Sequence, residues 1–408
     1  MPVQPERFVY LDFAASAPVR EESRAIAARV EAEPWAQANP NSLHTLGREA
    51  SLALEGARRD LASALGGGFR PSEVVFTSGG TESNNLCVPG IAEGVRAKDA
   101  RRSRVVISAI EHDSVLGLAG PLRECGFEVT VVPPTRDGSI SPDVLASVLD
   151  DTVALVSVMA ANNETGRVNP IGELARAVHA AGARFHTDAV QAFTKVPLEL
   201  ADADAVTVTG HKFGAPVGIG AFAIRGRCPY RVQSFGGGQE SGRRSGTQDV
   251  EGAMQLAGVA KSLMPSLAQT REAVAARTRA VYGRLCAPGT GIVPTSGEAG
   301  AQVGEGFLPG TVSVMVPGVD SETMILRLDA LGFEVSAGSA CSSRSLDPSH
   351  VLTAMGIPRD EAFGSLRISF DERVGEDDLM AFADALVGIV AELTGGTGAR
   401  ARRRTARG

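Results

Sequence analysis

A lysine and an aspartate stand where two short β-rich segments of this chain end. Lys212 closes the run Ala205-Val206-Thr207-Val208-Thr209-Gly210-His211-Lys212. Asp188 closes Ala183-Arg184-Phe185-His186-Thr187-Asp188, and Gln191 lies three positions beyond it. An amine captures an aldehyde as a Schiff base. A carboxylate keeps a pyridine nitrogen protonated, which makes the ring an electron sink. The pair therefore suits pyridoxal 5'-phosphate (PLP). Taken singly, they also read as a surface lysine and a helix-capping aspartate.

Other segments add to that chemistry. Val74 to Leu86 reads VVFTSGGTESNNL, a strand running into a Gly-rich turn and then a helix. Free backbone N–H groups at a helix start, with the positive end of its dipole, bind phosphate. Gly80 and Thr81 lie in that turn, and Thr209 and His211 beside Lys212 offer further donors. Gly-rich turns are common in α/β loops, so this signal gains meaning only beside the lysine. His112 follows the strand-like Val105–Ser108 and is placed to stack on a pyridine ring and move protons, or to serve structure alone. The run GGGQESGRRSGT, residues 236–247, is flexible and basic, and composition leaves a solvated loop open. Cys341 sits in the small, polar stretch Val335–Ser345, where Arg344 would favour a thiolate. Chemistry alone allows a nucleophile or a bystander thiol there.

The elements that position these residues alternate. Short apolar runs at 74–77, 105–108, 129–132, 153–158 and 219–224 read as strands. Helical stretches lie between them. One opens at Ser141-Pro142, and another runs from Pro170 to Gly182. This rhythm predicts a mostly parallel sheet covered on both faces, with ligands beyond the carboxyl ends of its strands. Residues 252–288 read as a helical bridge to a second, smaller α+β domain. That domain has strands at 311–316, 333–336 and 366–370 and helices at 321–331, 351–355 and 376–393. The segment 287–310 reads as loop. The expected domains are residues 21–262, then 1–20 with 263–393, with a disordered Arg-rich tail at 394–408.

Bulk properties narrow the class. At 408 residues two domains are expected. A net charge of −7 argues against general nucleic-acid binding, although five arginines crowd residues 399–408. The five cysteines are widely spaced with no CxxC pair, which speaks against a disulfide framework and against a zinc site. There is no apolar leader and no run of eighteen apolar residues, so a cytoplasmic protein is expected.

From about Tyr10 to Arg373 the chain resembles the PLP-dependent cysteine desulfurases of the class-V, fold-type I aminotransferase group. The resemblance rests on Tyr10-Leu11-Asp12, Asn39-Pro40-Asn41-Ser42, FTSGGTESNN, Glu111-His112 and Asn162-Asn163-Glu164-Thr165-Gly166. It continues through Thr187-Asp188-Ala189-Val190-Gln191, Gly210-His211-Lys212, GGGQESGRRSGT, GSACSS and Leu366-Arg367-Ile368-Ser369. GSACSS, followed by LDPSHVL, is similar to the subgroup with a longer cysteine loop, which supplies sulfur for Fe–S assembly and thiolation.

The resemblance implies a seven-stranded large domain and a set of roles. Lys212 would hold PLP and shuttle the Cα proton. Asp188 would pair with the pyridinium nitrogen, Gln191 with the ring hydroxyl, and His112 would stack on the ring. Gly80, Thr81, Thr209 and His211 would hold the phosphate, joined by Thr247 from a partner subunit, so a homodimer is implied. Asn39, Asn163 and Arg367 would bind L-cysteine, with Arg367 gripping its carboxylate. Cys341 would accept the sulfur as a persulfide and pass it to an acceptor. Fe–S scaffolds, tRNA or DNA thiolation and sulfur metabolites all fit as destinations.

Departures from the family pattern are Thr187 where valine is expected, Thr194 where glycine is expected before Lys195, and Ser241 where arginine is common. The Arg-rich end also lacks the apolar tail with which some members dock a scaffold. Alternatives on the same scaffold are a selenocysteine lyase or an aminotransferase, neither of which needs GSACSS. A partner-binding protein on a retired enzyme fold has only the Arg tail in its favour.

Overall fold

A computed structural model describes residues 7–297, 304, 306–338 and 348–405, with 396–405 given as backbone alone. Cys341 and the rest of the stretch 339–347 lie outside the described residues.

The alternating apolar runs form one seven-stranded sheet. Its strands lie in the order Val74–Thr77, Gly220–Ile224, Ala205–Thr209, Arg184–Asp188, Val153–Ser157, Arg104–Ser108 and Glu128–Val132. Only Gly220–Ile224 runs against its neighbours; the other pairings are parallel. Every residue of Val153–Ser157 and Ala205–Thr209 is buried, as expected for strands covered on both faces. Each buried Val or Leu there contributes about 1.5–3 kcal/mol relative to exposure. The helix Ile171–Ala180 ends near Gly182, which takes φ +72°, the left-handed conformation that glycine supplies at a helix end.

Buried apolar side chains fall into separate clusters. One fills a face of the large sheet and includes Leu54, Leu61, Val156, Phe185 and Leu256. Another, including Ile91, Val105, Ile107 and Phe222, fills the opposite face. A third joins Leu11 and Phe13 to Val281, Val314, Ile368 and Phe382. This last cluster backs a four-stranded antiparallel sheet in the order Ser336–Ala337, Ser365–Ser369, Thr311–Met315, Val293–Pro294.

Several elements differ from expectation. The expected strand at 333–336 is divided. Phe333–Glu334 pairs with Val9–Tyr10, a strand the sequence did not announce, while Ser336–Ala337 joins the four-stranded sheet. The helical stretch 252–288 is broken at Met264–Ser266, where Pro265 lacks the N–H that would continue the ladder. The supposed loop 287–310 contributes Val293–Pro294. The tail expected to be disordered from 394 instead continues the last helix, Glu376–Thr405. Alanine and arginine in 399–404 are strong helix formers, which local composition judged by charge alone passes over. Residues 406–408 lie outside the described residues.

Candidate active site

Four parallel strands deliver the site. Val74–Thr77 leads into the helix Gly80–Lys98, Arg104–Ser108 leads to His112, Arg184–Asp188 ends on Asp188, and Ala205–Thr209 turns through Gly210–Lys212. Their carboxyl ends share an edge of the sheet, so loop residues far apart in sequence meet there. A cavity of about 400 Å³ opens at that edge. Gly80, Thr81, His112, Asn163, Asp188, Gln191, Thr209, His211, Lys212 and Arg367 all line it.

The Lys212 Nζ donates to the carbonyl oxygens of Ala14 at 2.7 Å and Ala15 at 2.8 Å. The Asp188 carboxylate accepts from Asn84 Nδ2 at 2.7 Å and from the Val190 amide at 2.9 Å. Burial pushes its pKa up, against those hydrogen bonds and the positive charges of His112 and Lys212. A buried carboxylate of this kind gains most from a cation placed against it, and a protonated ring nitrogen is such a cation. The Gln191 Nε2 donates to the Ala14 oxygen at 2.9 Å, and its Oε1 accepts from Lys195 Nζ at 3.2 Å.

His112 caps the short helix Asp113–Leu116. Its Nδ1 accepts from the Ser114 amide at 3.1 Å, which fixes the ring. His211 is pushed down to about 4, first by burial and then by the charges of Lys212 and Lys195, so it is neutral at pH 7. The Thr209 hydroxyl donates to the Ile219 carbonyl at 3.1 Å, and it reaches a phosphate only by exchanging that bond. Gly80 opens its helix where an added Cβ would stand 3.0 Å from Val190 Cγ2, so the backbone approaches the cavity closely.

Arg367 is only 1% exposed. Its Nη2 pairs with Asp12 at 2.8 Å and its Nη1 donates to the Asn163 carbonyl at 3.1 Å. Its Nε is buried and has no hydrogen-bond partner among the described residues. A guanidinium with a donor to spare at the wall of the cavity suits a substrate carboxylate.

Two expected residues, Asn39 and Thr247, are not brought to this cavity. Asn39 is exposed, and its Oδ1 accepts from the Asn41 amide at 2.9 Å, which ties it into a local turn. Thr247 is also exposed, next to Gln248, whose Oε1 accepts from Asn41 at 2.9 Å. The two therefore share one outer region. The loop 236–247 itself is not simply solvated. Glu240 turns inward, accepts from Arg58 at 2.6 and 3.0 Å and from the Phe76 amide at 2.8 Å, and so pins the loop to the strand below.

Sequence reasoning missed Asp12, Asn84, Glu111, Glu164 and Lys195 as part of the site's surroundings. Glu111 is fully buried and pushed up to about 8, chiefly by burial and also by Asp188. Glu164 is pushed up to about 7 by burial and accepts from the Ser349 hydroxyl. Lys195 follows Gln191 through a non-helical turn in which Thr194 takes φ +65°, so nothing in the sequence signalled it.

An open, mostly parallel sheet with a lysine, a buried carboxylate and a helix start at its carboxyl edge is the arrangement of an α/β enzyme. The chain belongs to the aminotransferase class-V family, whose model matches residues 9–382. It is 35% identical over 392 residues to "Cysteine desulfurase IscS" of Dictyoglomus turgidum, covering 95% of this chain and 96% of that protein. It is 39% identical to "IscS-like cysteine desulfurase" of Mycobacterium tuberculosis, covering 94% and 96%. A solved structure titled "NIFS-LIKE PROTEIN" superposes with a TM-score of 0.84 at 32% identity, covering 94% of this chain and 99% of that one.

Proposed function

We propose that this protein is a cysteine desulfurase that uses PLP to convert L-cysteine to L-alanine and passes the sulfur on through Cys341. The observation that carries the reading is the single cavity lined by Lys212, the buried Asp188, His112 and Arg367. The residues present fit PLP: a carboxylate raised by burial awaits a ring cation, and a glycine-started helix stands ready for a phosphate. When bound, PLP supplies a sink for the electron pair left when the substrate Cα loses its proton.

The chain's own residues do the rest. Asp188, held by Asn84 and the Val190 amide, would keep the ring nitrogen protonated. His112, on the wall of the same cavity, would pack against the ring. Arg367 holds the substrate carboxylate, and Lys212 Nζ takes the Cα proton. The Cys341 thiolate then attacks the substrate sulfur. An S–S bond forms as the Cβ–S bond breaks, Cβ keeps the electron pair and takes a proton, Lys212 returns the Cα proton, and alanine leaves a persulfide on Cys341. An acceptor thiol removes that sulfur.

Asn39 and Thr247, exposed together outside their own cavity, suit a homodimer in which that region faces the partner's site. No helix among the described residues is long and apolar enough to cross a membrane, and we propose a cytoplasmic location. Incubation with L-cysteine tests the function. Alanine should appear, and the protein should gain the mass of one sulfur atom. Cys341→Ser should keep the visible cofactor band and lose both sulfur gain and sulfide release. Undiminished sulfide from that variant would remove Cys341 from the reaction.

A further inference from the structure

Lys195 is a second lysine beside the one assigned to the cofactor, and nothing in the proposed reaction uses it. Its Nζ donates to Gln191 Oε1 at 3.2 Å. The other end of that amide donates to the Ala14 oxygen at 2.9 Å, the same oxygen that accepts from Lys212 Nζ at 2.7 Å. The two ammonium groups are thus linked through one side-chain amide and one carbonyl. Both also line a further cavity of about 50 Å³.

No carboxylate neutralises Lys195. The two acidic residues lining that small cavity, Asp371 and Glu372, are engaged by Arg20 at 3.0 and 2.6 Å, and Asp371 also by Arg373 at 2.7 Å. Among the described residues no ion pair joins Lys195 to an acid. The charged groups that act on it are Lys212 from the turn after Ala205–Thr209, Arg367 from Ser365–Ser369, and Asp371 just beyond, while His211 from the same turn as Lys212 is neutral at pH 7. Two of those three charges are positive. The residue before it, Thr194, is held at φ +65°, a left-handed conformation that β-branched side chains rarely take. Such strain persists where surrounding contacts hold a position in place.

Resting on the PLP reading, we propose that Lys195 is a positioning residue whose half-buried positive charge makes the nitrogen at position 212 release its proton more readily. The two carbonyls of Ala14 and Ala15 favour a charged amine at 212, and a nearby like charge opposes them. Burial and the charge of Lys212 push Lys195 itself down to about 8, so it carries its charge below that pH and the effect is read there.

The test uses the cofactor-loaded protein. The visible band of PLP held by Lys212 changes as the nitrogen gains or loses a proton, so its pH titration reads that proton directly. Removing the charge with Lys195→Met should raise the midpoint by about one pH unit, roughly tenfold in proton affinity. Lys195→Arg, which keeps the charge, should restore the wild-type midpoint. If the Met variant folds poorly, Lys195→Gln removes the charge while keeping a group able to bond Gln191, and the same rise is expected. A normal band with an unmoved midpoint in the uncharged variants overturns the inference and leaves the cofactor reading standing. Absence of any band from wild type removes the cofactor reading, and this inference with it.

Discussion

Replacing Glu111 by glutamine should make the protein's stability less dependent on pH, by an amount the structure sets. Glu111 is fully buried. Its Oε1 accepts from the Ser108 hydroxyl and from the Met159 amide at 2.7 Å, while its Oε2 is buried with no hydrogen-bond partner among the described residues. Burial, and secondarily the charge of Asp188, lift it from an ordinary 4.5 to about 8. The folded protein therefore keeps a proton that the unfolded chain gives up above about pH 4.5. Stability contributed by this site must fall as pH rises from about 4.5 to 8. Between pH 5.5 and 8 the two pKa values imply a loss of about two proton-affinity decades, or about 3 kcal/mol. Glutamine keeps the shape and has no proton to lose. The assay is urea unfolding of cofactor-free wild type and Glu111→Gln at pH 5.5 and pH 8. Wild type should lose about 3 kcal/mol more than the variant over that interval. Glu164, at about 7, and Asp188 slope the same way in both proteins, so the difference isolates Glu111. Parallel pH profiles for the two proteins would refute the assignment of a buried, protonated carboxyl.

Further predictions concern residues that depart from or support the family pattern. Thr194→Gly should raise stability by about 1 kcal/mol, because φ +65° strains threonine and suits glycine; an unchanged or lower urea midpoint counts against the strain. Thr187→Val should be neutral or stabilising by up to about 1 kcal/mol, since the buried hydroxyl has no partner among the described residues, and a clear loss of stability would point to an unrecognised bond there. Glu240→Ala should cost about 3–5 kcal/mol, because the buried Arg58 then keeps only the half-exposed Glu55 and the Val74 carbonyl as partners. In the double variant Arg58→Met with Glu240→Leu most of that loss should return, and denaturant midpoints of the set decide it. Lys212→Ala should abolish both the visible band and alanine formation, and a turnover rate near wild type would exclude the lysine from its role.

The chain's own pattern was enough to reveal the strand-and-helix rhythm of the large sheet, the Gly-rich turn at Gly80 and the two strand ends that carry Asp188 and Lys212. These are local signals: short continuous apolar runs, glycine turns and helix-start residues are written within a few neighbouring positions. The divided strand near Phe333 was not legible, because the choice of partner for a two-residue strand depends on which distant edge is free to pair. Nor was the pairing of Arg367 with Asp12, or the Ala14 carbonyl shared by Gln191 and Lys212, since those partners are 177 to 355 residues apart in sequence and meet only when the chain packs. The burial that lifts Glu111 and Glu164 above ordinary carboxylates and lowers Lys195 also belongs to tertiary structure. Residue identity sets which protons exist, whereas the water excluded around each group, and the charges left near it, set where those protons go.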